Sequence, residues 1–327
     1  MKVLYLIQTY RNPEQIYRLV QILKKSSPTS QILVSHNFTT CNLDTTLLKN
    51  LSGVEVLRLR DKGGRGTFSL IQGYLDAIDW LFSHNTEFDW LINLSGQDYP
   101  TQPLSQIEKF LAETKYDGFL KYFEAFSDSK HNPWGTKDSR NRYLYQYWRS
   151  GVYIPRNSLP DKILNRLVPV FYNAQPFIRL DWILDSLRVG VIATSNPFNE
   201  KFLCYGGSYF HTLSRKCVQF LYESSKQNVE LVDYYKKTFI PDESFIPTVL
   251  VNSGLFNLCN DYKRYIDWSN YKDDSPRILT SEDYASLIKD DIHFARKFDT
   301  AQDSRILDML DERILSQCAS KLHKLER

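Results

Sequence analysis

The stretch from Phe88 to Pro100, FDWLINLSGQDYP, decides how the fold is interpreted. It is mostly apolar as far as Leu94, as in a buried strand, and then changes abruptly to Ser95-Gly96-Gln97-Asp98. Gly and Pro end strands, which is one explanation of the change. Ligands of open α/β sheets bind at the carboxyl ends of the strands, which is another. The second explanation predicts that these polar residues form a wall of a binding site, with Asp98 directed at the ligand.

Strand and helix patterns alternate along residues 1–120. The apolar segment Lys2–Tyr10 predicts a strand, and Asn12-Pro13 predicts a helix with Asn12 as N-cap and Pro13 in its first turn. Further strands are predicted in SQILVSHN, VEVLRLR and FDWLINLSGQD, and further helices in GGRGTFSLIQGYLDAIDWLF and PLSQIEKFLAET. This alternation predicts an α/β fold with a Rossmann-type mixed sheet, helices on both faces, and a nucleotide-binding first half.

Residues 121–327 are predicted to form the acceptor-binding and catalytic half of the same large domain. The segment Tyr122–Asn199 is polar, aromatic and irregular, which predicts long loops over a binding face. Order returns in FLCYGGSYFHTLSRKCVQFLYESS, which predicts a strand followed by a helix. The segment YKKTFIPDESFIPTVLVNS predicts a loop that enters a helix, and Ser281-Glu282 predicts a further helix start.

Charge and cysteine content narrow the class of protein. The net charge of +3 is spread along the chain, which does not favour a nucleic-acid partner. The five cysteines are scattered, which predicts free thiols in a reducing compartment. No apolar run reaches membrane-spanning length, and the N-terminus reads as a strand rather than a signal peptide. We therefore expect a cytoplasmic protein, with a native membrane anchor outside this chain left open.

Two groups of charged residues could carry chemistry. Asp242-Glu243 precedes an apolar run, where acidic residues commonly favour a helix N-terminus, but Glu243 could also take a proton from a hydroxyl. Arg277 follows a Pro, and Lys297 lies between Phe294 and Phe298. These cations predict either salt bridges, to Asp299 or Glu282, or a clamp on a diphosphate.

A metal site finds no support in the sequence. Glu87-Phe88-Asp89 is the one acidic pair with suitable spacing, and it precedes a strand rather than following one. The Gly63–Gly66 segment, GGRG, precedes a helix and could bind phosphate through backbone N–H groups. It fits neither the P-loop nor the dinucleotide-binding pattern.

Seven segments in order resemble one known family. They are NPEQIYRLVQIL, FDWLINLSGQDYPTQ, GGSYFHTLSR, PDESFIPTVL, RYIDW, SPRILTSED and FARKFD. Together they resemble the Core-2/I-branching β-1,6-N-acetylglucosaminyltransferase family, which includes peptide O-xylosyltransferases, and this chain resembles a compact bacterial-type member. The resemblance implies a GT-A-like fold, a UDP-sugar donor, and inverting transfer to a hydroxyl without a divalent metal or other cofactor.

The resemblance also implies roles for residues. Glu243 matches the general base, and Arg277 and Lys297 match the diphosphate-binding residues. Nucleotide contacts are expected at Gln8, Thr9, His36, Asn37 and Gly64. Contacts to the sugar or acceptor are expected at Asp98, Gln97, Ser208, Tyr209 and Asp242.

Two departures limit the resemblance. The second strand of many relatives ends in a His-x-Asp triplet, whereas this chain has VSHNFTT, and the segment Tyr122–Asn199 matches nothing. The resemblance favours N-acetylglucosamine, with xylose as the alternative donor sugar. It implies a glycan or glycolipid acceptor in polysaccharide biosynthesis, with peripheral membrane association at the inner face of the membrane. A non-catalytic binding protein and a metal-dependent enzyme are the rival interpretations.

Overall fold

A computed structural model describes residues 1–59, 64, 66–155, 158–181, 186–269 and 275–325 of the chain. The strands are β1 (Val3–Thr9), β2 (Gln31–His36), β3 (Val54–Arg58), β4 (Trp90–Ser95), β5 (Asp98–Pro100), β6 (Gly118–Glu124), β7 (Tyr145–Tyr153), β8 (Ile178–Asp181), β9 (Ser186–Ile192), β10 (Tyr205–Ser214), β11 (Leu258–Cys259), β12 (Arg264–Ile266) and β13 (Phe294–Arg296). The α-helices are α1 (Pro13–Ser26), α2 (Thr46–Lys49), α3 (Ser69–Ser83), α4 (Leu104–Glu113), α5 (Thr136–Tyr143), α6 (Leu159–Ala174), α7 (Arg215–Gln227), α8 (Val229–Tyr235), α9 (Phe245–Ser253), α10 (Tyr284–Leu287) and α11 (Arg305–Leu325).

The central sheet has seven strands in the order β11-β6-β10-β4-β1-β2-β3. Strands β3, β2, β1 and β4 are mutually parallel, and β10 lies antiparallel between β4 and β6. The carboxyl ends of β1, β2 and β4 therefore meet at one edge, beside the start of β10. The predicted α/β fold with a mixed central sheet is confirmed, and its GT-A-like type stays a prediction.

Alternate residues of the strands fill two apolar cores, one on each face of this sheet. Tyr5 and Ile7 of β1 pack with α1, α4 and α11, whereas Leu4 and Leu6 pack with α3, α7 and α9. Successive side chains of a strand point to opposite faces, so a strand buried on both faces is apolar throughout. This explains the unbroken apolar run in VLYLI.

Strand β10 requires a glycine where it pairs with β6. A methyl group at Gly207 would lie 1.9 Å from the backbone oxygen of Lys121, a clash that only glycine avoids. The pairing of β10 with β6 shifts register between Gly207 and His211. This irregularity falls at Ser208-Tyr209, close to the edge where the parallel strands end.

The segment Tyr122–Asn199 is more regular than predicted. It continues β6 and contains α5, α6 and a second sheet in the order β7-β9-β8, so the prediction of long loops was wrong. One face of this small sheet stays exposed, with apolar residues such as Trp148 and Val191 on it. The usual polar and apolar alternation of a half-buried strand is therefore lost, and the sequence pattern looks irregular.

A third sheet, β12-β13-β5, joins the end of β4 to the C-terminal part of the chain. Strand β5 begins three residues after β4, and Asp98 on it pairs with Arg296 on β13. Arg18 of α1 contacts Asp308 and Asp311 of α11 at 2.7 Å each, which ties the C-terminal helix to the first helix. The segment around Lys297 thus returns to the carboxyl edge of the central sheet.

One local prediction needs correction, and the predicted helix start at Ser281 is confirmed. Asn12 has φ 54° and makes no side-chain cap hydrogen bond, so it turns the chain into α1 through a left-handed conformation instead of capping it. Pro13 does lie at the start of the helix. Ser281 begins a 3₁₀ turn, Ser281–Asp283, and the capping side chain is that of Thr280.

Residue 120, the proposed boundary between the two functional halves, lies inside β6, and strands from both halves form the central sheet. Cys41, Cys204, Cys217 and Cys259 are free thiols as predicted, and the Cys318 side chain lies outside the described residues. Within the described ranges, no helix has the length and apolar character needed to cross a membrane.

Candidate active site at the carboxyl edge of the central sheet

Thr9 and His36, which are predicted to bind nucleotide, lie at the carboxyl ends of β1 and β2. The surface that they form is called the Thr9–His36 floor. The hydroxyl of Thr9 lies 2.7 Å from Nδ1 of His36, and Nε2 of His36 lies 2.9 Å from the carbonyl oxygen of Cys41. Burial lowers the pKa of His36, against the effect of the Cys41 carbonyl, and the charge of Arg58 lowers it further. His36 is therefore neutral at physiological pH, with its Nε2 proton donated to Cys41 and its Nδ1 accepting from Thr9.

Gln8 and Tyr209 are linked across this floor. The Tyr209 hydroxyl donates to Oε1 of Gln8, and Nε2 of Gln8 donates to the carbonyl of Leu70 at 3.2 Å. Burial raises the pKa of Tyr209 well above its usual value, so its phenol stays protonated. The structure thus brings a predicted nucleotide residue and a predicted sugar residue together, and both are buried.

An open cavity of about 430 Å³ adjoins this floor, beyond the ends of β2 and β3. Arg58 lies over the ring of Phe38 at 4.1 Å, and Phe38 packs edge-on against His36 at 4.7 Å. The lining residues are Phe38, Asn42, Leu43, Asp44, Thr45, Lys49, Val56 and Arg58. This cavity was not predicted from the sequence. The feature that could have indicated it is the aromatic residue that follows the second strand in SHNF.

Asn37 and Gly64 shape two turns at the same edge. The side-chain oxygen of Asn37 accepts from the backbone and hydroxyl of Thr39, at 3.0 and 2.7 Å. The backbone N–H of Gly64 donates to the Ser69 hydroxyl at 2.9 Å. Gly63 and Arg65 of the GGRG segment lie outside the described residues.

Glu243, the predicted general base, ends a 3₁₀ turn, Pro241–Glu243, that packs against β10 and leads into α9. Its Oε2 accepts from Nη1 of Arg142 at 2.9 Å, and its side chain is 28% exposed. Arg142 also lies 2.8 Å from Asp138 and stacks over Trp134 at 4.4 Å. Glu243 is thus a carboxylate held at the edge of the site by an arginine from α5.

The charge of Arg142 is stable despite its burial. Burial alone would lower the pKa of its guanidinium, but Tyr143, Glu243 and Asp138 outweigh that effect and raise the pKa. Arg142 was not identified from the sequence, where it is 101 residues from Glu243. Its position makes it the residue that orients the candidate base.

Asp242 and Ser208 lie in the same region as Glu243. The charge of Asp242 contributes, after burial, to raising the pKa of Tyr209, so the carboxylate is near that phenol. Ser208 is half-buried at the register shift of β10, where its hydroxyl accepts from the backbone of Phe210 at 3.2 Å. Their predicted contacts to sugar stay predictions.

Asp98 has a structural environment that the sequence did not indicate. Its carboxylate is completely buried and accepts from the backbone and hydroxyl of Ser95 and from Nη1 of Arg264 at 3.3 Å. Arg264 also donates to the carbonyl oxygen of Asn93 at 2.6 Å. The expected orientation of Asp98 toward sugar hydroxyls is therefore corrected: it fixes the turn after β4 from inside.

Gln97 also faces the protein. Its amide donates to the carbonyl of Phe298 at 3.3 Å, and its own carbonyl accepts from the Phe298 N–H at 3.0 Å. Gln15 of α1 donates to Gly96 O and Phe298 O at 2.9 and 3.1 Å. The SGQD turn is thus the joint that attaches the C-terminal segment to the carboxyl edge, and the question raised by the sequence has a mainly structural answer.

Arg277 is clamped between two carboxylates. It donates to Asp267 at 2.6 and 2.8 Å and to Asp283 at 2.5 and 3.0 Å. The salt-bridge alternative is therefore correct in kind, but the partners are not Asp299 or Glu282. Because one positive charge faces two negative ones, Arg277 has little net charge to offer a diphosphate in this arrangement.

Lys297 immediately follows β13, near the SGQD turn. Its Nζ lies 3.1 Å from the hydroxyl of Ser275, close to Arg277 in sequence. Its carbonyl accepts from the Leu279 N–H at 2.8 Å, which places the two predicted diphosphate-binding segments side by side. The structure therefore brings Arg277 and Lys297 into one region, and their binding of a diphosphate stays a prediction.

The Arg277 clamp should give an acid-sensitive contribution to stability. Hydrogen bonds from Ser269, and then Arg277, lower the pKa of Asp267 to about 2. An unfolded Asp has a pKa near 3.9, so the stabilisation is present above that value and is lost as the pH falls from about 4 toward about 2. We expect an Asp267→Asn variant to unfold more readily at pH 7 and to lose less stability over that acid range, measured by denaturant unfolding.

Asp233→Asn is the matched control for this prediction, because Asp233 forms an exposed ion pair with Lys236. Exposed pairs contribute little, so this variant should follow the wild-type pH dependence. An Asp267→Asn variant with that same dependence would contradict the assignment.

The acidic pair Glu87 and Asp89 lies at the opposite edge of the sheet. Glu87 accepts from Lys2 Nζ at 2.5 Å, and Asp89 accepts from the Lys2 backbone at 2.6 Å. These contacts give both carboxylates a structural role. In the part of the chain that the structure describes, no group of three or more His, Cys, Asp or Glu side chains is placed to hold a metal ion.

Two further arginines lie above the glycine turn. Arg149 and Arg188 are directly opposite in β7 and β9, with Asp181 beside Arg188 on β8. Arg188 donates to Gly66 O at 2.8 Å, and Gly66 O also accepts from Ile240 N at 3.3 Å. This chain of contacts connects the small sheet to the turn that carries Glu243.

Part of the chain is similar to known enzymes. Residues 162–288 match the family model for the Core-2/I-branching enzyme, a range that contains Glu243 and Arg277. Xylosyltransferase 2 of Rattus norvegicus is 24% identical over 267 residues, which cover 75% of this chain and 26% of that protein. The beta-glucuronosyltransferase GlcAT14B of Arabidopsis thaliana is 23% identical over 253 residues, which cover 76% of this chain and 49% of that protein. The match thus spans less than two thirds of either relative.

A solved structure of the galactosyltransferase LgtC, in complex with donor and acceptor sugar analogues, is also similar. It covers 98% of this chain and 96% of its own, with 10% identity and a TM-score of 0.38.

Proposed function

We propose that this chain is a glycosyltransferase of the Core-2/I-branching type, which moves a sugar from a UDP-sugar to a hydroxyl of a glycan acceptor, because residues 162–288 match that family model. The observation that carries this proposal is the Glu243 carboxylate, held by Arg142 at the carboxyl edge of the sheet with 28% of its side chain exposed. A general base for this reaction must be a proton acceptor that the acceptor hydroxyl can reach. A partly exposed carboxylate at this edge meets both conditions.

The proposed reaction is a single displacement that inverts the anomeric carbon. Glu243 takes the proton of the acceptor hydroxyl, whose oxygen forms a bond to the anomeric carbon of the donor. The bond from that carbon to the diphosphate oxygen breaks, and UDP leaves with the electron pair. Lys297 stabilises the charge that grows on the leaving UDP, and Arg277 supports it from the adjacent segment.

The reaction is proposed to need no divalent metal, because Lys297 would supply positive charge where a metal otherwise acts, and Arg277 would add to it only when released from Asp267 and Asp283. The donor nucleotide is proposed to bind over the Thr9–His36 floor, with the cavity beside Phe38 and Arg58 receiving its base. Asp44 in that cavity provides a carboxylate near the place where relatives carry the Asp of the His-x-Asp triplet.

Two donor sugars are the leading candidates. N-acetylglucosamine is favoured by the family resemblance, and xylose is favoured by the xylosyltransferases among the similar proteins. The beta-glucuronosyltransferase among them adds glucuronic acid to the sugars worth testing. A cytoplasmic location at the inner face of the membrane, in polysaccharide biosynthesis, completes the proposal.

The proposal is tested by UDP release from a panel of UDP-sugars, with and without excess EDTA. We expect one donor to be hydrolysed or transferred faster than the others, at a rate that EDTA leaves unchanged. Turnover abolished by EDTA would overturn metal independence. UDP binding without turnover of any donor, with a panel of glycan acceptors present, would favour the non-catalytic binding protein.

A further inference from the structure

Helix α6 presents an apolar stripe to solvent. Leu159, Ile163, Leu167, Val170 and Phe171 are all exposed, and the first four each expose between 47% and 71% of their surface. Their spacings of three and four residues place them along one side of the helix. Val168 is buried and lies nine residues, about two and a half turns, beyond Leu159, so the helix packs on the protein through the opposite side.

Apolar exposure continues beyond this helix. Phe177 and Ile178 lie shortly after the end of α6 and are exposed, at 61% and 36%. In the small sheet, Ile178 and Val191 are paired and therefore share a face, and both are exposed. Trp148 lies on that same face, because its partner Val189 is two residues from Val191. The other face carries Arg149 and Arg188 and contacts the glycine turn.

An exposed apolar surface of this extent indicates a partner, since soluble proteins rarely leave contiguous apolar residues in water. The charges on α6 indicate which partner. Lys162 and Arg166 are exposed and flank one side of the stripe, whereas Asp161 is buried on the inner side. Long basic side chains beside an apolar stripe, with aromatic residues nearby, suit the interface of an anionic lipid membrane.

We propose that the α6 stripe, formed by Leu159, Ile163, Leu167, Val170 and Phe171, inserts into the headgroup region of an anionic membrane. The helix lies in the plane of the interface, with Lys162 and Arg166 directed to phosphate groups. Arg188, on the inner face of the attached small sheet, connects this surface to the site edge through Gly66. The surface would hold the site beside a membrane whatever its chemistry.

Vesicle co-sedimentation tests this assignment on the full chain. Wild type should sediment with vesicles of phosphatidylglycerol and phosphatidylcholine in equal parts. Leu167→Glu should lower the partition coefficient at least about tenfold, because it places a charge in the inserted stripe. A variant that carries both Lys162→Glu and Arg166→Glu should bind these anionic vesicles more weakly than wild type. It should not bind vesicles of phosphatidylcholine alone.

Leu255→Glu is the matched control, because Leu255 is an equally exposed leucine beyond α9, near the opposite edge of the central sheet. It should bind vesicles like wild type, as should Glu243→Gln, which separates membrane binding from catalysis. Wild type that fails to bind, or a Leu167→Glu variant that binds equally well, would overturn the proposal. The proposal would also be overturned if light scattering showed that wild type is a dimer that does not bind vesicles and that Leu167→Glu converts this dimer to a monomer.

Discussion

A Glu243→Gln variant is expected to lose transferase turnover by about 10²–10⁴-fold, because an amide cannot take the proton of the acceptor hydroxyl. The change keeps the size of the side chain, and the amide oxygen can still accept from Arg142, which lies 2.9 Å from the carboxylate. The fold and the affinity for UDP should therefore be preserved. The measurement is kcat with the preferred donor, together with the Kd of UDP by calorimetry.

Glu124→Gln provides the matched control. Glu124 is an exposed carboxylate at the carboxyl end of β6, on the same edge of the central sheet as Glu243. Exposed substitutions of this kind change little, so its turnover should stay within about twofold of wild type. Equal losses in the two variants, or wild-type turnover in Glu243→Gln, would remove Glu243 from the role of base.

The ion pair with Arg142 fixes the position of the Glu243 carboxylate near the protein surface. Arg142 is itself held by Asp138 and by stacking on Trp134, so Glu243 is oriented by a side chain with little freedom. The site thus depends on α5, a helix in a segment that resembled no family motif.

The sequence predicted the central sheet because its strands are buried on both faces. Runs such as VLYLI and ILVS can hardly be anything else, and parallel strands place Thr9 and His36 at one edge by necessity. The position of the candidate site followed from this alone. The contacts within the site could not be predicted in this way, because contacts such as Glu243 with Arg142 join residues 101 positions apart.

Asp98 shows the limit of arguing from a strand end. A carboxylate at the ligand edge of a sheet is a sound candidate for a sugar contact, yet Asp98 is buried against Arg264, which is 166 residues away. No pattern in the sequence around Asp98 predicts such a partner. The small sheet was missed for a related reason: its outer face is apolar and exposed, so the periodicity of β7 and β9 does not report burial.

The structure separates the two predicted diphosphate-binding residues by their partners. Arg277 faces both Asp267 and Asp283, whereas the Nζ of Lys297 contacts the neutral hydroxyl of Ser275. A charge already matched by two carboxylates contributes less to a negative charge that develops nearby. We therefore expect Arg277 to contribute little to the leaving group while Asp267 and Asp283 hold it.

A Lys297→Ala variant is accordingly expected to lower kcat/KM by about 10²–10³-fold, the usual effect of removing one preorganised partner of the transition-state charge. Arg277→Ala should lower kcat/KM less but should destabilise the fold more, because Asp267 and Asp283 would then face each other without a cation. Steady-state UDP release and denaturant unfolding measure the two effects. Lys289→Ala, at an exposed lysine near the same segment, controls for the loss of one charge and should behave like wild type. The reverse order, with Arg277→Ala inactive but stable and Lys297→Ala active, would show that the aspartate clamp opens on donor binding and releases Arg277 to the diphosphate.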